Sequence, residues 1–262
     1  MQQTIIFIAL NLIINILFCQ ISSIPKIEYD LLTSYKKILS NVFDSSEINL
    51  EEIEKDNQIF REKMVSYTSN YRETLTYKFD SLKKYIDIVT TDDGLLRIYS
   101  WDTWLGGTMH QFENLFQFKC GDKVCTLLIT DTSEISEVPF YSDIFTLKTD
   151  KKTYYLAIGN QIFSSNDVGQ LIKVFTIENN KINDNVKLIK TQSGFTNKIA
   201  VYFDFFTVMD KPERPVRLIK YDKIKKIIYI PIVLEDGKVT DRYIQYKFNG
   251  HYFEKVTKKK VN

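Results

Sequence analysis

Histidine is close to absent from this chain, with His110 and His251 the only two among 262 residues, and cysteine (three) and tryptophan (two) are almost as rare. These shortages exclude a good deal of chemistry. A zinc site needs three or four Cys, His or carboxylate ligands converging on one point. Cys120 and Cys125 would form only half of one, and the two histidines lie far apart in the sequence. His110 and Glu113 also fail as a metal pair, because an odd separation in a strand sends the two side chains to opposite faces. No metal or other cofactor is expected. Gly-x-Ser-x-Gly occurs nowhere, so a hydrolase nucleophile elbow is missing. Glycine is sparse at nine residues, and its only tandem pair, Gly106-Gly107, leads into a strand-like run. A phosphate-cradling loop would instead open a helix. Net charge is only +2, without the basic footprint of a nucleic-acid binder, and the Lys255–Lys260 tail reads as a solvated terminus.

What is present begins with an address. Thr4 to Phe18 is apolar apart from Asn11 and Asn15. A run of about fifteen residues is short for a membrane span, which needs roughly twenty, and suits a signal-peptide core. The expectation is a signal peptide over residues 1–23 and a secreted or periplasmic protein. Cys19 leaves a lipoprotein as the alternative, a lipid anchor at that residue being the only membrane attachment foreseen, although bulky Phe18 precedes it. In an exported chain, Cys120 and Cys125 bracket a turn-like Gly121-Asp122-Lys123-Val124 and are expected to form a disulfide across a hairpin.

Residues 24–84 read as helical. Leu31, Leu32, Tyr35, Ile38, Leu39, Val42 and Phe43 recur at helical spacing. A second helix is expected to start behind Asn49 as N-cap, with Glu52 three residues on. Ile53, Phe60, Met64, Tyr67, Tyr71 and Leu75 mark its apolar face, and Glu54, Lys55, Asp56, Arg61, Glu62 and Lys63 a solvated one. Near Tyr85 the period changes to two. Tyr85–Val89 and Leu95–Trp101 read as a hairpin around a primed Asp93-Gly94 turn. Gly107–Phe118 reads as a long strand, with Val124–Ile129 its partner. From Ile144 onward short apolar runs alternate with turn pairs such as Asn179-Asn180, Asp236-Gly237 and Asn249-Gly250. Pro231 marks an edge or a bulge. The expected fold is α+β: N-terminal helices packed on a large antiparallel β meander, sandwich or open barrel, with the β part spanning residues 85–262.

Arg97-Ile-Tyr-Ser-Trp-Asp, followed by Gly106-Gly-Thr-Met-His, resembles a signature of an uncharacterised family of predicted secreted proteins of Bacteroidetes-type bacteria. Tyr243-Ile-Gln-Tyr-Lys-Phe-Asn-Gly-His-Tyr-Phe is similar to that family's terminal hairpin. The resemblance runs from about Leu82 to Val256. It implies export and no particular activity, and it assigns no functional residues.

Arg97 to Gln111 holds both tryptophans, the Gly-Gly pair and His110. On a strand, Arg97, Tyr99 and Trp101 share one face. Exposed, they would make a stacking platform for sugar rings, anchored by Arg97 and Asp102. The commoner arrangement puts Tyr99 and Trp101 at the end of the core with Arg97 on an aromatic face. His110 as base to Ser100, oriented by Asp102, is a further possibility on residue types alone. The expected ligand-contacting residues are Arg97, Tyr99, Trp101, Asp102, Trp104 and His110, with no catalytic residue named. The functional expectation is an exported, non-enzymatic binding or envelope protein contacting a glycan, peptide or protein partner. The alternatives are a secreted polysaccharide or peptidoglycan hydrolase using acids such as Asp102 and Glu113, and a structural assembly domain.

Overall fold

A computed structural model describes residues 24–45, 47–130 and 137–257. The expected signal peptide and Cys19 lie outside the described residues. The chain forms two helices followed by three mostly antiparallel sheets, an α+β architecture with no closed barrel among the described residues. Among them, no helix is long and apolar enough to cross a membrane.

Helix α1 covers residues 24–43 and α2 covers Leu50–Asn70. Asn49 caps α2 as expected: its side-chain oxygen accepts the backbone N–H groups of Glu51 (3.1 Å) and Glu52 (3.2 Å), satisfying donors that no earlier carbonyl reaches. The helix stops at Asn70 and a short 3-10 turn, Arg72–Leu75, takes over, so the expected apolar face is divided between two elements. Asp56 and Arg61 are not on a solvated face. Asp56 is buried and accepts from Lys37 Nζ (2.7 Å) and Asn41 Nδ2 (2.8 Å) of α1, tying the two helices together.

The first sheet has the order β1 (Asp87–Thr90), β2 (Leu96–Asp102), β3 (Phe112–Cys120), β4 (Lys123–Ile129). The β1–β2 connection is longer than the expected two-residue turn. Thr91 closes it, donating its N–H to Leu96 O (2.9 Å) and accepting Leu96 N–H on Oγ1 (3.1 Å), with Gly94 left-handed at φ 66°. The second sheet has the order β11 (Lys198–Asp204), β7 (Asp167–Glu178), β6 (Thr153–Ile162), β5 (Phe140–Lys148), with β8 (Lys181–Asn183) beside β7. The third has the order β10 (Gly194–Thr196), β9 (Ile189–Thr191), β15 (Phe253–Lys255), β14 (Val239–Phe248), β13 (Ile227–Val233), β12 (Lys220–Asp222). Asn179 and Asn180 both have positive φ (51° and 58°) in the β7–β8 reversal, the conformation a primed turn demands. Pro231 sits at a register shift inside β13, a bulge and not an edge.

The layers stack as helices, first sheet, second sheet, third sheet. Tyr99, Trp101 and Leu115 pack on helix residues Tyr35, Ile53, Phe60 and Met64. Leu96, Ile98, Phe116 and Phe118 pack from the opposite face on Tyr141, Ile144, Tyr155, Ala157 and Phe175 of the second sheet. That sheet's other face, including Leu156, Ile158, Ile172 and Val174, meets Ile228, Ile230, Tyr246 and Phe253 of the third. Two sheets are therefore covered on both sides, which explains why β2 and β6 are buried along most of their length, with little alternation between inward and outward positions. The Cys120–Cys125 disulfide bridges the β3–β4 hairpin ends, as expected.

Candidate functional site

Because β2 is buried on both faces, Arg97, Tyr99 and Trp101 take the commoner of the two arrangements, and no exposed stacking platform forms. Trp101 is 1% exposed, and Arg97 and Tyr99 are buried with it. Arg97 lies over the rings of Phe79 and Tyr99, each 5.7 Å from its guanidinium carbon, the cation–π arrangement that competed with an exposed stripe. It also donates to Thr90 Oγ1 and to the carbonyls of Thr74 and Tyr77, all at 2.6 Å. Tyr99 OH donates to Thr74 O (2.8 Å) and Gln117 Oε1 (3.1 Å), and Gln117 Nε2 donates to Thr68 O (2.8 Å) and Thr74 Oγ1 (2.7 Å). Arg97, Tyr99 and Gln117 thus fill the carbonyls left open where α2 gives way to a 3-10 turn. Trp101 meets Phe60 edge to face at 5.3 Å. These three expected site residues are scaffold, out of a ligand's reach.

Asp102, Trp104 and His110 do come together, on the loop joining β2 to β3. Residues 107–111, expected as strand, belong to this loop. Gly106 is the reason: a Cβ there would lie 1.7 Å from Met109 O, so the backbone turns back on itself in a way only glycine permits. Gly107 follows at φ 64°. The loop is closed at its base by Thr103, whose N–H and hydroxyl both donate to Gln111 O (2.8 and 3.0 Å). Two helix side chains hold its start: Tyr35 OH donates to Asp102 O (3.1 Å) and Asn57 Nδ2 to Thr103 O (2.8 Å).

Inside this frame Trp104 has φ 60°, a conformation strongly disfavoured for a bulky residue. Asp102 enforces it. One carboxylate oxygen accepts the Trp104 N–H (2.9 Å) and the other is bonded to His110 Nδ1. The bond to the Asp102 carboxylate raises the His110 pKa above its ordinary 6.5, with partial burial opposing. The rings form a continuous series: Phe43 against Trp104 (4.9 Å), Trp104 against His110 (5.5 Å), His110 on Phe112 (6.1 Å), and Phe112 against Phe140 (4.8 Å). Phe43 is 63% exposed at the end of α1, with Ile48 and Leu50 exposed on the same helix–helix corner.

No catalytic set forms here. Ser100 is buried and donates to Asn114 Oδ1 while accepting Tyr141 N–H (3.0 Å), so it is not available to His110. Trp101 pairs with Glu113 and Asp102 with Phe112 across the β2–β3 ladder. Asp102 and Glu113 therefore project from opposite faces and do not flank one cleft. Glu113 is engaged by Arg61, which reaches both its oxygens (2.7–3.1 Å). Burial raises the Glu113 pKa while the Arg61 pair opposes that rise. A cavity of about 220 Å³ lies beside this pair, lined by Thr103, Leu105, Gln111 and Phe112. Among the described residues no group of His, Cys, Asp and Glu is placed to hold a metal ion.

Reading the sequence missed Phe43, Tyr35 and Asn57. Phe43 reads as one more apolar position of α1, and only its place at the helix end signals exposure. Nothing local announces that Tyr35 and Asn57 grip a loop 67 and 46 residues away. Compared with known proteins, the chain matches no family model and no curated sequence.

Proposed function

We propose that this is an exported, non-enzymatic binding protein whose contact surface is the Asp102–Gln111 loop together with the adjoining helix corner, and whose partner is a protein or peptide. The observation that carries this reading is Trp104. A bulky residue in a left-handed conformation costs about 1–2 kcal/mol. Here the Asp102–His110 bracket maintains it, leaving the indole half-buried beside the exposed Phe43 ring. Backbone strain held by its surroundings is characteristic of functional loops, and tryptophan and other aromatics dominate the energetic centres of protein interfaces. With Tyr99 and Trp101 buried there is no exposed platform for glycan stacking, so an aromatic-apolar peptide surface fits better than a sugar ring. The Cys120–Cys125 disulfide supports an oxidising, extracytoplasmic location, in keeping with the apolar stretch read as a signal peptide.

Selection from a random peptide display library against the protein lacking residues 1–23 tests this. Enriched peptides are expected to lose at least about ten-fold in affinity, or about 1.4 kcal/mol, on Phe43→Ser or Trp104→Ser, and to be indifferent to Tyr202→Ser, which changes an exposed ring elsewhere. Peptides insensitive to the first two substitutions, or no enrichment, would contradict it.

A further inference from the structure

A second region of the molecule combines a rigid polar scaffold with polar groups that lack close partners. It is a groove of about 540 Å³ between the second and third sheets, remote in sequence from the loop just described. One wall is set by a bulge in β5. Tyr141 pairs with Gly159 and Asp143 with Ile158, leaving Ser142 as the extra residue. In consequence Tyr141 and Ile144 face the first sheet three residues apart, and Asp143 and Phe145 are turned towards the groove, the re-aiming that bulges provide.

The opposite wall is the segment Val216–Ile219, clamped by buried Gln170 of β7. Gln170 Oε1 accepts Leu218 N–H (3.0 Å) and Ile219 N–H (2.6 Å), and its Nε2 donates to Val216 O (2.7 Å) and Asn160 Oδ1 (2.7 Å). Asn160 Nδ2 in turn donates to Ser142 Oγ (2.9 Å), the bulge residue itself. One hydrogen-bonded chain therefore links the bulge that aims Asp143 to the segment that carries Arg217. A satisfied buried network of this kind rigidifies what it holds.

The groups it positions are not similarly satisfied. Arg217 lies 3.9 Å from Asp143 Oδ1 and 3.6 Å from Glu213 Oε2, both beyond hydrogen-bonding distance. Contacts at such separations leave room for a bridging group. Lys211 and Lys220 also line the groove, and among the described residues neither has a carboxylate within 4.0 Å. Lys223 nearby is engaged by Asp92 at 2.6 Å. Tyr243 adds aromatic surface, with Lys220 Nζ 5.8 Å from its ring centroid, whereas Tyr221 is buried against Phe145 and Phe253.

We propose that this groove binds an acidic saccharide, its carboxylate taken by Arg217, Lys211 and Lys220 and its hydroxyls donating to Asp143 and Glu213. The donor and acceptor inventory selects this class. Lysine and arginine only donate, so they require an anion or other acceptor, whereas ionised Asp143 and Glu213 only accept and require hydroxyl or N–H donors. A uronic acid unit carries both on one compact ring, and its apolar face suits the half-buried Tyr243. Three cations against two carboxylates in the lining favour an anion over a neutral sugar.

Calorimetric titration of the protein lacking residues 1–23 with trigalacturonate tests this, with a neutral galactose trisaccharide and a glutamate-rich peptide as the other arms. Trigalacturonate is expected to bind, with the neutral sugar and the peptide each at least about ten-fold weaker. Arg217→Gln is expected to reduce trigalacturonate affinity at least about ten-fold with an unchanged melting temperature, Arg217 being 61% exposed. Trp104→Ser is expected to leave it unaltered, which separates this site from the peptide surface. Absence of trigalacturonate binding, equal binding of the neutral sugar, preference for the peptide, or indifference to Arg217→Gln would overturn the proposal.

Discussion

The stretch from Arg97 to Gln111 divides into two halves that look alike in the sequence and differ in the fold. Both contain a tryptophan, an ionisable residue and hydroxyls. In the strand half, Trp101 packs on the helices and Arg97 and Tyr99 pack beneath the Thr74–Phe79 segment, with the polar groups of Arg97 and Tyr99 bonded within the chain. In the loop half, polar groups are also bonded, but they hold Trp104 in a strained conformation beside an exposed phenylalanine. Residue type alone does not separate scaffold from surface. The strand half stabilises, and the loop half stores strain.

The largest effect expected from breaking this comparison is Trp101→Ala. Removing a buried indole from its contact with Phe60 should cost about 3–5 kcal/mol, read as a lower urea midpoint. A loss below about 1 kcal/mol would mean that the strand half is not core.

Asp87, half-buried on β1, pairs with Ser100 of the strand half across the first sheet. Burial pushes its carboxyl up to about 6 from 3.8. The folded state therefore binds a proton more readily than the unfolded one, and stability falls as pH rises through this interval. Asp87→Asn removes that loss and should add about 2–3 kcal/mol at pH 7, with the gain vanishing below about pH 4, the unfolded carboxyl range. Unfolding curves at the two pH values check the sign.

His110 works in the opposite half with a raised pKa of its own. A histidine raised in the fold contributes stability that is complete below the unfolded value of 6.5 and is lost as pH rises through the folded one. Charge-assisted bonds contribute about 1.5 kcal/mol or more. Stability should fall by about that amount across this window and the fall should be absent in His110→Gln, as thermal melts at graded pH would show. The smallest effect expected is Trp104→Gly: relief of the left-handed strain offsets the lost contacts with Phe43 and His110, for a net change below about 1 kcal/mol.

Much of the fold is legible in the chain because its signals are local. Asn49 announces a cap and Asn179-Asn180 a primed turn by residue type, and each needs only its neighbours. The α+β class and the hairpin disulfide follow from patterns of the same short range. What escaped depends on distant partners. Asp56 and Arg61 look like surface charges until Lys37 and Glu113, 19 and 52 residues away, cover them. Residues 107–111 look like strand until the Gly106 backbone meets Met109 O. β2 mixes apolar residues with Arg97, Ser100 and Asp102 on both faces, and its pattern carries no mark distinguishing one buried face from two. The bulge at Ser142 depends on pairing with β6 and has no signature of its own.

The division of Arg97–Gln111 into scaffold and surface is tested most directly by fluorescence of the two single-tryptophan variants, Trp104→Phe and Trp101→Phe, with acrylamide as quencher. The protein retaining only Trp101 should emit in the blue and resist quenching, because that indole is 1% exposed. The one retaining only Trp104, which is half-buried, should emit further to the red and quench more strongly. Equal quenching of the two, or stronger quenching of Trp101, would contradict the account.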